Sequence, residues 1–206
     1  MVLYKLMYTN VYNKHYAVGL LYDIFENSQN SEKSILPWEI TIHFSDFPKN
    51  KLLKFKNLDT LKDTYFTTLK ESDYMRYGNA NKIMCLSLED QSSLWNSLCK
   101  LDFKNFWNIN SKLLANTPWL NISARIYYNN TVIQERFVDI NEEGITLKNL
   151  ILSWCSEDFN ENSNFDNYRF ILHGLNISID TPLLWLGQYL SYPDNWLHIV
   201  IKQIKE

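Results

Sequence analysis

Apolar positions divide the chain into three blocks with different periodicities. In the first block, Val18, Leu21, Tyr22 and Phe25 recur at the spacing of one helical face, which predicts a short amphipathic helix. After a polar stretch, the segment Trp38–Phe44 alternates between apolar and polar residues. This period of two predicts a strand whose apolar side covers a core.

The second block has a helical pattern and almost no strand signal. Leu58, Leu61, Tyr65 and Leu69 form an apolar stripe. At about 100° per residue, Lys70 lies about 120° from the centre of that stripe. Lys70 is therefore predicted to be exposed or to lie at the margin of the buried face.

Further along the same block, one loop and one helix are predicted. The segment Met75–Asn81 has the composition of a loop. Asp90 or Ser92 is a candidate N-cap for a helix that runs through Leu94 and continues to Leu113.

The third block opens with a hairpin and a helix. Ile122–Tyr128 and Thr131–Ile140 are predicted to pair around Asn129–Asn130, because asparagine tolerates the positive φ of a tight two-residue turn. The apolar positions in Leu147–Trp154 follow one helical face, and Thr146 is a plausible N-cap.

The block closes with strand, helix and strand. Tyr168–Ile179 is predicted as a strand, with a second one after the Gly174 turn. Thr181–Pro182 opens a short helix, since proline suits the first helical position. Trp196–Ile201 is an apolar, β-branched strand typical of the middle of a sheet. The order ββαβ(β)αβ is that of the ubiquitin-like β-grasp.

A faint internal repeat relates the first and third blocks. In each block a short apolar helix and a proline-containing link precede a final strand, in HYAVGLLYDIF…LPWEITIHF and in DTPLLWLGQYLSYPDNWLHIVI. We therefore predict an α+β fold in which two ubiquitin-like β-grasp modules flank a helix-rich region. Residues 1–48 form the first, incomplete module, 49–116 the helix-rich region and 117–206 the second module.

Composition and charge narrow the function classes. Hydrophobic residues make up 46% and charged residues 21% of the 206 positions, as in globular proteins. A net charge of -3 leaves no basic field for nucleic-acid binding, and no glycine-rich phosphate loop is found. No apolar run approaches the ~20 residues that span a bilayer, and no signal peptide is recognised. We expect a soluble, cytoplasmic protein.

Cysteine chemistry is the main enzymatic alternative. Cys85, Cys99 and Cys155 are an odd set without CxxC spacing, and are predicted to be reduced, buried thiols. Cys155 could in principle meet His173 and Asp180 to form a nucleophilic site. Its place on the core face of a predicted helix favours a structural role.

No metal or cofactor site is predicted. The four histidines are scattered, without metal-ligand spacing. His43 and His198 occupy matching places in the two closing strands, and are predicted to be repeat positions or half-exposed strand residues. The adjacent acids Glu142–Glu143 and Glu157–Asp158 fall in predicted loops, where they solvate the surface.

One basic run offers weak support for membrane contact. Lys49, Lys51, Lys54 and Lys56 form a small basic run with Leu52, Leu53 and Phe55 between them, and this run could touch anionic lipid. A solvated linker with a few anchoring apolar side chains is the favoured interpretation.

Taken alone, Lys70 has the setting of an ordinary surface lysine. Its neighbours Glu71 and Asp73 favour the ammonium form, which is not nucleophilic. If its amine attacks a thioester, a partner enzyme must deprotonate it and exclude water.

Four runs of the sequence resemble the autophagy protein 5 family. They are HYAVGLLYDIF (His15–Phe25), LPWEITIHFSDFP (Leu36–Pro48), FKNFWNINSKL (Phe103–Leu113) and TPLLWLGQYLSYPDNWLHI (Thr181–Ile199). The similarity covers nearly the whole chain in the right order, and the SYPDNWLHI run is quite specific.

The resemblance implies a role for Lys70. Members of the family have two ubiquitin-like folds around a helix-rich region and accept the C-terminal glycine of autophagy protein 12 on one lysine, through an isopeptide bond. The matching position here is Lys70, within YFTTLKESD. The conjugate binds a helix of autophagy protein 16 in a groove.

The resemblance also implies an E3-like activity without catalytic residues. The conjugate promotes transfer of autophagy protein 8 to phosphatidylethanolamine as autophagosomes form, and E2-like enzymes supply the cysteines. The chain is then a non-catalytic scaffold, cytoplasmic and peripherally associated with the phagophore membrane. The alternative is a ubiquitin-like binding module that holds partners without being functionally conjugated.

The chain departs from the family at its start. Family members ordinarily have an N-terminal helix and the first half of a ubiquitin-like fold ahead of the segment that begins at Met1. The strand Trp38–Phe44 is therefore expected to lack a pairing partner, and the groove for autophagy protein 16 is expected to be altered.

Overall fold

The computed structural model describes most of the chain after residue 56 and shorter parts before it. The described residues are 4–5, 16–28, 41–42, 57–115, 118–136, 140 and 142–204.

Two short strands form a sheet in the first block. Strand β1, Tyr4–Lys5, pairs antiparallel with β2, Thr41–Ile42. The predicted strand Trp38–Phe44 therefore has a partner at its centre, and the expectation that it lacks one is wrong. The remainder of that segment lies outside the described residues.

Helix α1, Val18–Ser28, confirms the predicted helix but not its predicted buried face. Leu20 and Ile24 are 1% and 5% exposed, whereas Val18 is 53% exposed. Apolar residues occur on more than one side of this helix, so periodicity alone does not identify the side that packs.

Helix α2, Leu58–Tyr77, is 20 residues long and extends into the segment predicted to be a loop. The prediction for Met75–Asn81 is therefore wrong at both ends, because the short helix α3, Asn81–Met84, begins at its last residue. Between them Gly78 has φ 73, and glycine suits this left-handed position at a helix end. Arg76 is buried, so tertiary contacts stabilise the part of α2 that follows the apolar stripe.

Helix α4, Leu88–Lys100, begins earlier than predicted. Its N-cap is Ser87, whose hydroxyl accepts a hydrogen bond from the Asp90 backbone N–H at 3.0 Å. Neither Asp90 nor Ser92 is the cap. A serine three residues ahead of an acidic residue satisfies the free N–H groups of the first turn.

The long helix predicted from Leu94 to Leu113 is two helices. Leu101 follows α4 in the left-handed conformation with φ 56, which turns the chain. Asp102 then caps helix α5, Phe103–Leu114, by accepting the backbone N–H of Asn105 at 3.2 Å.

The third block forms a five-stranded mixed sheet with two helices. The strands are β3 (Ala124–Tyr128), β4 (Thr131–Ile133), β5 (Tyr168–Leu172), β6 (Leu175–Asn176) and β7 (Leu197–Gln203), and the helices are α6 (Leu147–Trp154) and α7 (Leu183–Tyr189). The strand order is β4-β3-β7-β5-β6, and β3 runs parallel to β7 while the other pairs are antiparallel. This confirms the predicted element order and the central place of the last strand.

Both hairpins turn on residues with positive φ. Asn129 and Asn130 have φ 47 and 60, and His173 and Gly174 have φ 50 and 75. Two successive positive φ values match the twist of paired strands. The first hairpin is predicted correctly, although β4 ends at Ile133, earlier than expected.

The sheet is buried on both faces. One face packs against α6 and α7, and the other packs against α1. Alternate residues of β7 serve the two sides: Ile199 and Ile201 belong to the first cluster and Val200 to the second. This explains why β7 is apolar at successive positions. A third cluster joins α2 to α5 and comprises Tyr65, Phe66, Leu69, Ile83, Leu94, Phe106, Ile109 and Leu113.

Among the helices of the described residues, none is both long and apolar enough to cross a membrane.

Candidate functional site

Lys70 lies on the exposed side of α2. Tyr65, Phe66 and Leu69 of the same helix are buried in the helical cluster, and Leu69 is 0% exposed. Lys70 itself is exposed, as the apolar stripe predicts. The helix therefore directs one side toward a packed core and presents the lysine on the other.

The acidic neighbours of Lys70 both contact other residues. The carboxylate of Glu71 lies 3.5 Å from the Arg125 guanidinium. Asp73 is buried and accepts the backbone N–H of Ile83 at 3.3 Å. Burial raises the pKa of Asp73, partly offset by that N–H. Within the described part of the chain, no carboxylate forms an ion pair with Lys70.

The connection between α7 and β7, the loop 191–196, anchors the middle of α2. The hydroxyl of Tyr65 donates to the Pro193 carbonyl at 3.1 Å. The indole N–H of Trp196 donates to the Thr68 carbonyl at 3.2 Å, and Trp196 is 0% exposed. The helical turn before the lysine is thereby held against the sheet module.

Arg76 anchors the end of α2 to the same loop. Its guanidinium is buried and donates to the Asn195 carbonyl and to the Ser191 hydroxyl, the latter at 3.3 Å. It also lies 4.6 Å from the centre of the Trp119 ring, a cation–π contact. Burial lowers the pKa of Arg76 to about 10, which indicates that desolvation opposes its charge.

A reciprocal amide pair ties the loop to α5. Asn195 and Asn110 each donate to the other's side-chain oxygen at 2.9 Å. Asn195 has φ 62, a conformation that asparagine adopts more readily than most residues. Its carbonyl also accepts the hydroxyl hydrogen of Ser123 at 2.8 Å. The loop thus joins helices and sheet through one residue.

A buried polar chain continues from the loop into the sheet. The carboxylate of Asp194 lies 3.0 Å from Nε2 of His198, whose Nδ1 lies 2.8 Å from the Tyr127 hydroxyl. Burial alone would raise the pKa of Asp194, but His198 together with the Trp196 N–H and the positive charge of Arg125 lowers it. The His198 ring thus bridges a carboxylate of the loop and a tyrosine of β3.

The cysteine-enzyme alternative fails on geometry. Cys155 is 3% exposed in the cluster that contains Leu147 and Ile151, and burial raises its pKa to about 12. His173 lies in the β5–β6 turn rather than within a strand, and its Nε2 is 2.9 Å from the Leu190 carbonyl. A reactive thiolate needs access and a lowered pKa, and Cys155 has neither.

The other two cysteines are exposed, so the prediction that all three thiols are buried is wrong.

Cys85 and Cys99 are therefore expected to react with a disulfide reagent in the native protein, whereas Cys155 reacts only after unfolding. Counting thiols by absorbance with and without denaturant checks this. The Cys85→Ser, Cys99→Ser double variant is the control, with no rapid native reaction. Three equally fast thiols in the native protein would contradict the burial of Cys155.

Over the described residues, no group of three or more His, Cys, Asp and Glu side chains could hold a metal ion. His198 is buried at 1% exposure, so of its two predicted interpretations, a repeat position or a half-exposed strand residue, the second is wrong. His43 lies outside the described residues. The basic run 49–56 also lies outside them.

Sequence patterns missed the residues that support the lysine. No motif identifies Arg76, Asn110 or Asn195, and the loop 191–196 stands out in the sequence only through its family likeness. The sequence contains one indication of a role for Arg76. It lies seven positions after Leu69, and therefore on the same side of the helix as a buried apolar residue. Buried arginines at such positions are usually paired.

Fold and site together define a mixed α+β protein in which a helical bundle that carries the exposed Lys70 is fixed to a five-stranded sheet. Residues 58–116 match a family model described as autophagy protein ATG5, alpha-helical bundle region. Residues 121–201 match the model described as autophagy protein ATG5, UblB domain.

Related proteins agree with this match. Autophagy protein 5 of Drosophila melanogaster is 31% identical over 193 residues, covering 91% of this chain and 68% of its own. The protein of the same name from Aspergillus oryzae is 26% identical, covering 92% and 73%. The crystal structure of autophagy protein 5 from Kluyveromyces marxianus superposes with a TM-score of 0.73 at 21% identity, over 91% of this chain and 68% of that one. The chain belongs to the autophagy protein 5 family.

Proposed function

We propose that the chain is an autophagy scaffold that is joined to autophagy protein 12 through an isopeptide bond on Lys70. The observation that carries this proposal is an exposed amine on a helix whose opposite side is held by Tyr65, Trp196 and Arg76. A fixed support reduces the orientational freedom that must be lost before an amine meets a thioester.

The proposed reaction needs no catalytic group from this chain. The Lys70 amine attacks the thioester carbonyl that links the C-terminal glycine of autophagy protein 12 to an E2-like enzyme. The new C–N bond forms as the C–S bond breaks, and the enzyme's cysteine leaves as a thiol with the proton lost by the amine. Because no carboxylate of the described residues pairs with Lys70, its amine does not have to break an ion pair to react.

The remaining partners follow from family membership as parts of the same proposal. Autophagy protein 16 would bind as a helix in a groove, and the conjugate would act like an E3 that promotes lipidation of autophagy protein 8. The proposal includes a peripheral association of the chain with the phagophore membrane and assigns no role to nucleic acid. The architecture proposed for it has two ubiquitin-like modules, 1–48 and 117–206, around the helix-rich region 49–116.

Reconstitution tests the acceptor assignment. The chain is incubated with the E1-like and E2-like enzymes, autophagy protein 12 and ATP, and the product is followed by gel shift and peptide mass spectrometry. We expect a branched peptide at Lys70 and complete loss of conjugate in Lys70→Arg, because arginine is not a nucleophile under these conditions. Lys62→Arg, on the same helix, is the matched control and is expected to conjugate normally.

Two other outcomes have definite meanings. A conjugate that persists in Lys70→Arg would show that another lysine is the acceptor. A folded protein that forms no conjugate would favour the binding-module alternative, in which the chain holds partners without covalent attachment.

A further inference from the structure

The turn between α4 and α5 exposes two large apolar side chains. Leu101 is 89% exposed and Phe103 is 71% exposed. We call residues 100–104, which carry them, the elbow. Phe103 stacks on Trp107 with ring centres 5.9 Å apart and an interplanar angle of 14°. The elbow therefore presents a leucine and an aromatic pair at the tip of a helical hairpin.

The backbone conformation of the turn does not explain why position 101 is a leucine. Leu101 has φ 56, a left-handed conformation in which glycine or asparagine costs less than a bulky residue. Its side chain is almost wholly exposed, so it gains little from packing. An apolar residue held outward at a backbone position that disfavours it indicates a contact outside the chain.

The exposed charges that flank the elbow are positive. Lys100 and Lys104 flank it and both are exposed, and neither forms an ion pair with another residue of the described chain. The single acid between them, Asp102, is turned to the helix, where its carboxylate accepts the backbone N–H of Asn105 at 3.2 Å and its side-chain N–H at 2.6 Å. Two free cations thus border the apolar tip.

We propose that the elbow is a membrane contact that inserts Leu101 and Phe103 into the interfacial layer of an anionic bilayer. Both apolar side chains project from the turn at 89% and 71% exposure, as insertion into a lipid surface requires. Lysines beside it would meet anionic headgroups, and an aromatic pair suits the boundary between headgroups and acyl chains. This inference rests on the membrane association within the proposed function and deepens it, and it involves residues other than Lys70.

Vesicle flotation tests the contact with the unconjugated chain. Vesicles of phosphatidylcholine with phosphatidylserine are the probe, and phosphatidylcholine alone is the neutral comparison. We expect binding to the anionic vesicles that weakens as salt is raised. Leu101→Asn, which tolerates the backbone conformation, and Phe103→Ser should each weaken binding about tenfold or more. Lys100→Glu and Lys104→Glu should each weaken it about fivefold or more.

Matched controls lie on the same two helices. Leu88→Asn removes another exposed leucine, at the opposite end of α4, where Leu88 is 83% exposed. Lys112→Glu removes an exposed lysine from the far end of α5. Both variants are expected to bind vesicles as the unchanged chain does. Equal losses in the controls and the elbow variants would overturn the assignment.

The exposed cysteines report which end of α4 meets lipid. An environment-sensitive dye on Cys99, in the Cys85→Ser background, should shift to the blue when anionic vesicles are added. The same dye on Cys85, in the Cys99→Ser background, should not, because α4 separates the two sites by about 20 Å. No shift at Cys99, or an equal shift at both sites, would overturn the proposal. Conjugation at Lys70 in solution is unaffected by either result, so the two proposals fail separately.

Discussion

Trp196→Ala is expected to lower the free energy of unfolding by about 3–5 kcal/mol, the usual cost of truncating a buried aromatic residue. Trp196 is 0% exposed, lies under the Arg125 guanidinium at 4.0 Å from the ring centre and donates to the Thr68 carbonyl. Truncation would remove all three contributions at the junction of α2 and the sheet. Urea unfolding followed by circular dichroism measures the change, and Tm should fall by roughly 10 °C or more.

Two variants separate burial from the hydrogen bond. Trp196→Phe retains most of the buried volume but lacks the N–H, so we expect it to lose less than half as much stability as Trp196→Ala. Trp185→Ala truncates a tryptophan that is 47% exposed, and is expected to cost about 1 kcal/mol or less. If Trp196→Ala and Trp185→Ala proved equally mild, the loop 191–196 would not be the junction described above.

Elements whose signals are local were predictable from the sequence. The hairpin at Asn129–Asn130 follows from backbone preferences of two residues, and α6 follows from its periodicity behind the Thr146 cap, which is itself held by the Asn149 side chain at 2.8 Å. The apolar, β-branched residues of β7 correctly indicated a strand in the middle of the sheet. In these cases local propensity and tertiary packing point to the same structure.

Predictions failed where distant contacts decide the outcome. The composition of Met75–Asn81 predicts a loop, but contacts of Arg76 extend α2 into this segment. Its partners Ser191 and Asn195 lie 115 and 119 positions away. The packed side of α1 likewise depends on the sheet face it covers. Neither relation is visible in a window of a few residues.

The candidate site also has one feature that the sequence predicts and others that depend on distant contacts. Exposure of Lys70 follows from the stripe of α2, but so does the exposure of other lysines, and only the family resemblance singles out this one. Its support joins Tyr65 to Pro193 and Thr68 to Trp196, in both cases across 128 positions. A passive acceptor leaves no cluster of reactive groups for a sequence pattern to detect.

Arg76→Ala is the second large effect, with an expected loss of roughly 3–4 kcal/mol in the free energy of unfolding. The variant would leave a void beside Trp119 and remove the donors to Ser191 and Asn195. Chemical denaturation of the unmodified chain measures this loss. Because Arg76 and the Trp196–Thr68 bond hold α2 on both sides of Lys70, the variant should also slow conjugation under conditions where it remains folded.

The Arg76→Met variant separates two contributions to stability: the hydrogen bonds of the guanidinium and the volume that the side chain fills. Burial lowers the pKa of Arg76 to about 10, so part of what the guanidinium gains from its partners is spent on desolvation. A neutral side chain of similar length avoids that cost, and replacing a buried charge by a well-packed apolar group is often close to neutral. We therefore expect Arg76→Met to lose less than half as much stability as Arg76→Ala. Equal losses would mean that the hydrogen bonds to the loop, rather than the filled space beside Trp119, hold the end of α2 in place.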